Sequence, residues 1–501
     1  MAVSFNQIPA SLRVPGMRVE VNSGERPYQG QSRILFIAPK LAAGKAPAGV
    51  PIRLPSNPIE AFGTGSIAAE VALLARRQSA VYEMWFLPVA DPSGTAGAQT
   101  VTVNSVPAAG AYPLWVHGRR RSITVAGADT TATLAGKIAA AIQSPYYLSG
   151  LPTAITPPVT AAAATNVVTI TDRHKGVITG TDSRVDFALY DETSALAAAV
   201  TVGAVTAGTG APDLALALAA LGDTEIDWYG CVFDDSASID ALSDFVTARW
   251  DPMSMQYGLA VFARQDAYGA LAAAGGAMND RARILIGQYD SPDSKWAILA
   301  QCTAGLAEYY DLGATLTEAQ RLARPCNGRI LRDLNPPRSG GNAFDTSERN
   351  ALYYDGVSPL TCTADGKVTF ERVITTYQHD DQGMDDINYL DINYPLIDIY
   401  TVRYTANYVW GVHANTSAAG DTEPYHPAQS RPKDVRASFG HALSKLRNEA
   451  HILEDIDGML KRLVVERSSD PTRINAEMSI DRVNPLHVLA VNVQASAQFQ
   501  S

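Results

Sequence analysis

Residues 228–263, WYGCVFDDSASIDALSDFVTARWDPMSMQYGLAVFA, decide the fold because they place an amphipathic helix between two apolar strands. The strands are predicted in WYGCVFDD (228–235) and YGLAVFA (257–263). The helix is predicted in SIDALSDFVTARW (238–250), with Ser238 as its N-cap. Strands that alternate with helices in this way are typical of a doubly wound α/β sheet.

The same alternation extends along the chain on both sides. Upstream lie the strand RILFIAP from Arg33, the helix SIAAEVALLARRQ capped by Ser66, and the strand VYEMWFLPV. Downstream follow a helix in DAYGALAAAGGAM, a strand in ARILIGQY and a long helix in DSKWAILAQCTAGLAEYY. We therefore predict a multi-domain chain whose α/β core, with a doubly wound sheet, comprises residues 31–90 and 211–335.

Residues 91–210 have a different character, rich in Ala, Thr, Gly and Val and poor in charge. Short strands are predicted in TVTVN, PLWVHG, RSITV, NVVTITD and VDFALY, with one helix near TTATLAGKIAAAIQ. The turn-rich segments DPSGTAGA and TAGTGAPD bracket the region. We predict a β-rich domain inserted into the α/β core, with both junctions on the surface.

Residues 336–483 are predicted to form a C-terminal α+β domain. It contains a strand in VTFERVITTY (368–377), an acidic loop, and an amphipathic helix from Val435 to Leu463 whose apolar residues recur every three or four positions. Gly458 is predicted to break or kink that helix.

Both ends of the chain read as strand-forming arms, residues 1–30 and 484–501. Apolar residues alternate with polar ones in each, so each arm has one apolar face. A strand attached by a flexible lead is suited to pairing with the sheet of another subunit. The predicted pairing residues are Met17, Val19, Val21, Leu489, Val491 and Val493.

Composition argues against several classes of protein. A net charge of −11 disfavours a nucleic-acid binder, and the basic cluster Arg119–Arg121 is better read as a hairpin tip than as a phosphate site. The four cysteines lie too far apart for a zinc ribbon or a redox pair. No signal peptide and no membrane span are predicted.

The stretch HDDQGMDD (379–386) is the strongest candidate for chemistry. Carboxylates at Asp380, Asp381, Asp385 and Asp386 could bind Ca²⁺ or Mg²⁺ beside His379, as in a metal-dependent enzyme on a doubly wound scaffold. Their spacing matches no calcium loop, and the chain has no P-loop, H-E-x-x-H or G-x-S-x-G motif. We favour a solvated loop or interface patch, with no catalytic residue, metal or cofactor.

Three segments resemble a known family when they are taken in order. ARPCNGRI (323–330), FDTSERNALYYDGVSPL (344–360) and GKVTFERVITTYQ (366–378) are similar to the C-terminal half of Mu-type contractile tail sheath proteins. The opening SFNQIPASLRVPGMRVEVNSG and the closing LVVERSSDPTRINAEMSIDRVNPLHVLAVNVQ resemble the two ends of that family. The region 91–210 is the least similar, as expected for a variable outer domain.

The resemblance implies a structural subunit rather than an enzyme. Such subunits stack as hexameric rings around a tail tube, joined by terminal arms that complete a sheet in a neighbour. Contraction then drives the tube through the host cell envelope. The implied partners are further copies of the chain, the tail tube protein, and the baseplate and tail terminator proteins, with no nucleic acid and no membrane insertion. The implied location is the virion tail, after assembly in the host cytoplasm.

Overall fold

A computed structural model describes residues 32–79, 83–151, 153–180, 182–190 and 192–495. The predicted N-terminal arm, with Met17, Val19 and Val21, lies outside the described residues. The strands are β1 Arg33–Lys40, β2 Ile52–Arg53, β3 Glu83–Ala90, β4 Ala96–Val103, β5 Gly110–Val116, β6 Arg119–Val125, β7 Val159–Ala164, β8 Val167–Lys175, β9 Val185–Asp186, β10 Val200–Val202, β11 Trp228–Cys231, β12 Leu259–Gln265, β13 Arg283–Gln288, β14 Val357–Cys362, β15 Val368–Phe370, β16 Ser417–Ala418, β17 Gln429–Ser430, β18 Val464–Arg467 and β19 Ile474–Glu477. The helices are α1 Pro58–Phe62, α2 Ile67–Gln78, α3 Thr131–Gln143, α4 Ala195–Ala199, α5 Leu214–Ala219, α6 Ser236–Arg249, α7 Tyr268–Gly276, α8 Lys295–Tyr309, α9 Thr346–Tyr354, α10 Asn393–His413, α11 Pro432–Asn448 and α12 Ile456–Arg462.

The largest sheet has eight strands in the order β15-β14-β13-β12-β11-β1-β3-β2. The six strands from β14 to β3 are parallel, and β15 and β2 run antiparallel at the two edges. Helices α2 and α8 pack together over β1, and residues 34–38 of this central strand are fully buried and apolar throughout, as in strands covered on both faces. The prediction of a mixed α/β chain is confirmed.

Residues 96–202 build a second, smaller core. A four-stranded sheet, β10-β4-β8-β7, and a three-stranded sheet, β6-β5-β9, enclose helix α3 and its own apolar cluster. Strands β7 and β10 were not predicted. The basic cluster lies at the β5–β6 hairpin, but Arg119 and Arg121 are buried rather than exposed, because both stack on Tyr146 and Arg119 donates to the Asp333 carbonyl at 2.6 Å.

Three predictions of local structure were wrong. The strand in VTFERVITTY is only β15, because the Ile374 N–H donates to the Ser358 hydroxyl (2.9 Å) instead of continuing a ladder. The long C-terminal helix is divided into α11 and α12 by residues 449–455, and Gly458 lies inside α12. Helix α6 is capped by Asp235, three residues before the predicted Ser238.

None of the described helices has the length and apolar character needed to cross a bilayer. The four cysteines are free thiols, and Cys231, Cys302 and Cys326 are buried.

Candidate functional site

Helix α9 and the segment after β15 form one hydrogen-bonded unit, which we call the motif platform (residues 344–354 and 371–377). Helix α9 begins in a capping box between Asp345 and Glu348. Further along α9, Arg349 Nε donates to Glu371 Oε2 at 2.8 Å, and the Tyr353 hydroxyl donates to the same oxygen at 3.0 Å. The residues that carry the family resemblance therefore hold two segments of the body together.

Arg372 extends this platform to a buried carboxylate. Its Nε and Nη2 donate to the two oxygens of Asp391 at 2.8 and 2.9 Å, which is a bidentate pair. His487, from near the C-terminus, places Nε2 3.0 Å from Asp391 Oδ1. Burial alone would raise the pKa of Asp391, but its contacts with His487 and Arg372 outweigh burial and hold the pKa below its usual value.

Arg482 makes a second attachment of the C-terminal segment to the body. Its Nε lies 2.9 Å from Asp398 Oδ1, and its Nη1 donates to the Asn388 carbonyl at 2.7 Å. The guanidinium carbon lies 4.9 and 5.3 Å from the ring centroids of Tyr389 and Tyr394, within range for cation–π contacts. These residues come from the start of α10 and the loop before it.

The pKa of Asp398 makes this attachment sensitive to pH. Burial raises the pKa to about 6, and the Arg482 charge only partly offsets that rise. The folded chain binds a proton at Asp398 more tightly than the unfolded chain does. Protonation of Asp398 therefore makes its full contribution to the unfolding free energy below about pH 4. The contribution is lost as the pH rises through about 6.

We therefore expect Asp398→Asn to reduce the fall in unfolding free energy between pH 4 and 7, by roughly 1–3 kcal/mol. Urea unfolding at several pH values measures this effect. Asp240→Asn, at an exposed position on α6, is the control and should leave the wild-type pH profile unchanged. Identical profiles for Asp398→Asn and wild type would contradict the assignment.

The predicted C-terminal arm leaves the body after His487. Residues 484–495 have no regular secondary structure. The side chains of Leu489, Val491 and Val493 are 80%, 71% and 79% exposed. Their apolar face is therefore unpaired within the described part of the chain.

The acidic loop at 379–386 is a tight turn. Asp380 Oδ1 accepts from the backbone N–H groups of Gln382 and Met384, both at 2.9 Å. Asp386 accepts from the Tyr377 hydroxyl at 2.7 Å, and this hydrogen bond lowers its pKa. Two of the four carboxylates thus stabilise the turn, and their oxygens do not face a common metal-binding position.

The other two carboxylates face solvent. Asp381 is exposed, and the Asp385 side chain is 96% exposed with His379 Nδ1 3.1 Å from its Oδ1. No group of three or more His, Cys, Asp or Glu residues in the described ranges has a geometry that could hold a metal ion. A cavity of about 270 Å³ lies beside the loop, with apolar walls that include Tyr353 and Ile387. The arrangement offers a charged, partly apolar contact surface.

A two-stranded antiparallel hairpin, β18–β19, is a feature that the sequence did not reveal. It pairs residues 464–467 with residues 474–477, and β18 contacts α11. In the described residues neither outer edge of the hairpin pairs with another strand. An isolated two-stranded sheet is only marginally stable in water, so these edges are suited to accepting further strands.

Comparison with known proteins identifies a relative that is similar over the whole chain. No protein family model matches. The Mu-like prophage FluMu tail sheath protein of Haemophilus influenzae is 26% identical over 509 aligned residues, covering 99% of each chain. This similarity confirms the resemblance to Mu-type tail sheath proteins predicted from the ordered motifs.

Three solved structures are similar at lower identity. The sheath tail protein of Desulfitobacterium hafniense is 13% identical with a TM-score of 0.48, covering 94% of this chain and 97% of that one. The sheath tail protein of Listeria innocua is 13% identical with a TM-score of 0.47, covering 91% and 93%. The contracted helical sheath of the anti-feeding prophage is 11% identical with a TM-score of 0.45, covering 97% and 100%.

Proposed function

We propose that this chain, similar over its full length to a Mu-like tail sheath protein, is the structural subunit of a contractile tail sheath. The observation that carries the proposal is the alignment with the FluMu protein, which is 26% identical and covers 99% of both chains. The acidic loop supports the same conclusion, because its carboxylates stabilise a turn or face solvent instead of converging on a ligand. On this proposal the protein is not an enzyme.

The subunit architecture that we propose has five parts. Residues 31–90 and 211–335 form the doubly wound core, residues 91–210 an inserted outer domain, and residues 336–483 the C-terminal domain. Residues 1–30 and 484–501 are arms. The separate apolar cluster within residues 96–202 supports the assignment of an inserted domain.

Arms from neighbouring copies are proposed to add strands to the β18–β19 hairpin. The hairpin has two open edges in the described chain, and the C-terminal segment leaves the body with its alternating apolar side chains exposed. Backbone hydrogen bonds would join the copies, and alternate side chains would determine register. Because donor and acceptor surfaces differ, the contact is head-to-tail and generates an open stack rather than a closed dimer.

The stack is proposed to consist of hexameric rings around a tail tube protein, ending at baseplate and tail terminator proteins. Assembly would take place in the host cytoplasm and the product would lie in the virion tail. The sequence contains no P-loop, so the energy of contraction is assigned to a metastable extended packing. Body-to-body contacts would exchange during contraction while the arm contacts persist.

Electron microscopy of the purified protein tests this proposal. We expect striated hollow tubes, and contraction without added nucleotide. A protein that stays monomeric at all concentrations, or that contracts only with ATP or GTP, would contradict it.

The acidic loop is proposed to be one side of an electrostatic contact between subunits. We expect Asp381→Asn with Asp385→Asn to weaken assembly several-fold at low salt, and to have little effect at 1 M salt, where the Debye length is about 3 Å. Light scattering at several salt concentrations measures the effect. A matched control is Asp240→Asn with Asp244→Asn, an equal change of charge at exposed positions on α6.

Chelation separates this contact from a metal site. We expect assembly to be indifferent to EDTA. Loss of tubes on chelation, restored by Ca²⁺ or Mg²⁺, would favour a metal at the loop over a charge contact.

A further inference from the structure

The C-terminal segment consists of a fixed root, residues 480–487, and a free tip that begins at Val488. The root runs antiparallel beside residues 452–454, where Glu454 N–H donates to the Asp481 carbonyl and Val483 N–H donates to the Ile452 carbonyl, both at 3.0 Å. The Tyr394 hydroxyl donates to Asn484 Oδ1 at 3.0 Å. The backbone path is therefore fixed up to this point.

Side-chain contacts also fix the root. Arg482 contacts two tyrosine rings and pairs with Asp398, with its own side chain only 18% exposed. At the end of the root, the His487 side chain is 13% exposed and contacts Asp391, which Arg372 holds in a bidentate pair. Each contact places a charged group of the body against the root.

The tip has no such contacts. No hydrogen bond or ion pair joins residues 488–495 to the rest of the described chain. Val488 is 78% exposed, directly after a residue that is mostly buried. The boundary between fixed and free chain therefore lies between two adjacent residues.

We infer that the Arg372–Asp391–His487 contact is an anchor that determines where the C-terminal arm leaves the subunit. This inference rests on the proposed function, in which the tip pairs with another copy. Tension on the arm then passes through His487 into the motif platform at Arg372. Arg372 directly follows Glu371, which accepts hydrogen bonds from Arg349 and Tyr353 of α9. Arg372, Asp391 and His487 are positioning residues, and they do not pair with the neighbour themselves.

The anchor also limits the length of the free arm. Residues 488–501 number 14, and release of the root from residue 480 would lengthen the arm to 22. The added eight residues extend its reach by about 26 Å. Effective concentration falls as about the −3/2 power of linker length, so release should lower the tip's effective concentration at its acceptor about twofold.

Spin labelling of the purified monomer tests the anchor directly. Labels are attached at Leu486→Cys in the root or Val491→Cys in the tip, in a Cys362→Ser background because the other three cysteines are buried. We expect slow label motion at position 486 and fast motion at 491. His487→Ala should make the label at 486 fast, and His487→Gln, whose Nε2 can occupy the position of the imidazole Nε2 and donate to Asp391, should restore slow motion.

Controls separate anchoring from folding. His426→Ala, at an exposed position in a distant loop, should leave both spectra unchanged, and thermal unfolding of every variant should match wild type. Slow motion at 486 in both wild type and His487→Ala, or fast motion in both, would overturn the inference.

Assembly supplies a second readout. Arg482→Ala with His487→Ala should raise the concentration needed for polymerisation about twofold or more. An unchanged threshold in a protein that forms tubes would refute the anchor and leave the sheath proposal standing. If wild type forms no tubes, the sheath proposal fails, and the spin-label result still decides whether the root is anchored.

Discussion

Removal of residues 488–501 is expected to leave a folded monomer that forms no tubes. The described part of this tip makes no hydrogen bond or ion pair with the body, so its loss should not change thermal unfolding. Pairing of about six arm residues at roughly 0.5–1 kcal/mol per hydrogen bond would contribute about 3–6 kcal/mol to each contact. Losing it should weaken polymerisation at least about 100-fold, as measured by sedimentation and electron microscopy.

Removal of residues 488–501 tests strand pairing separately from folding, because the anchored root at residues 480–487 is retained. Asn492→Ala with Gln494→Ala is the control, since these residues alternate with the apolar face and should permit tubes. Long sheaths formed by the truncated chain would refute the role of the C-terminal arm. Removal of residues 1–24 tests the N-terminal arm in the same way.

Arg184→Leu is expected to destabilise the 96–202 region by about 3–5 kcal/mol, because it would leave a buried carboxylate unpaired. The Arg184 and Asp172 side chains are each 1% exposed, and Nε and Nη2 donate to the two carboxylate oxygens at 3.2 and 2.8 Å. Arg184 also donates to the carbonyls of Asp182 and Gly180, so it orders the loop before β9.

Hydrogen exchange at Val168 and Ile170 measures this effect locally, which matters because a chain with several cores need not unfold in two states. Arg184→Met with Asp172→Leu should recover most of the loss, since two apolar groups can replace a buried pair. Arg120→Leu, at the exposed arginine of the β5–β6 hairpin, should change exchange little. A loss below about 1 kcal/mol for Arg184→Leu would contradict the assigned cost of the unpaired charge.

Periodicity predicted five strands of the large sheet, namely β1, β3, β11, β12 and β13, because local pattern and burial agree there. The run after Arg33 is apolar at every position from 34 to 38, and all five residues are buried on both faces. Helix α10 was missed because NYPLIDIYTVRYTANYVWGVH is rich in β-branched and aromatic residues, whose intrinsic preference is for strands. Its helical state depends on tertiary packing, which the local sequence does not encode.

The candidate site was predicted in part. The acidic loop was located from its composition, but the anchor joins Arg372, Asp391 and His487, which no local spacing connects. The division between α11 and α12 depends on residues 449–455, where His451 and Asp455 adopt positive φ. Asp and His adopt positive φ more often than most residues, but they do so at only a small fraction of positions, so the apolar periodicity predicted a continuous helix.

The hairpin β18–β19 gives the proposed assembly a defined valence. Within the described residues it has two edges open to strand addition, and two arms are proposed for the chain, so donors and acceptors would be equal in number in every copy. Inside a long stack all of them can be satisfied at once. At each end of a finite stack the edges or the arms of the last ring remain unfilled, so growth and termination compete for the same backbone groups. A protein that ends the stack therefore needs a spare strand, or a surface that covers the hairpin edge.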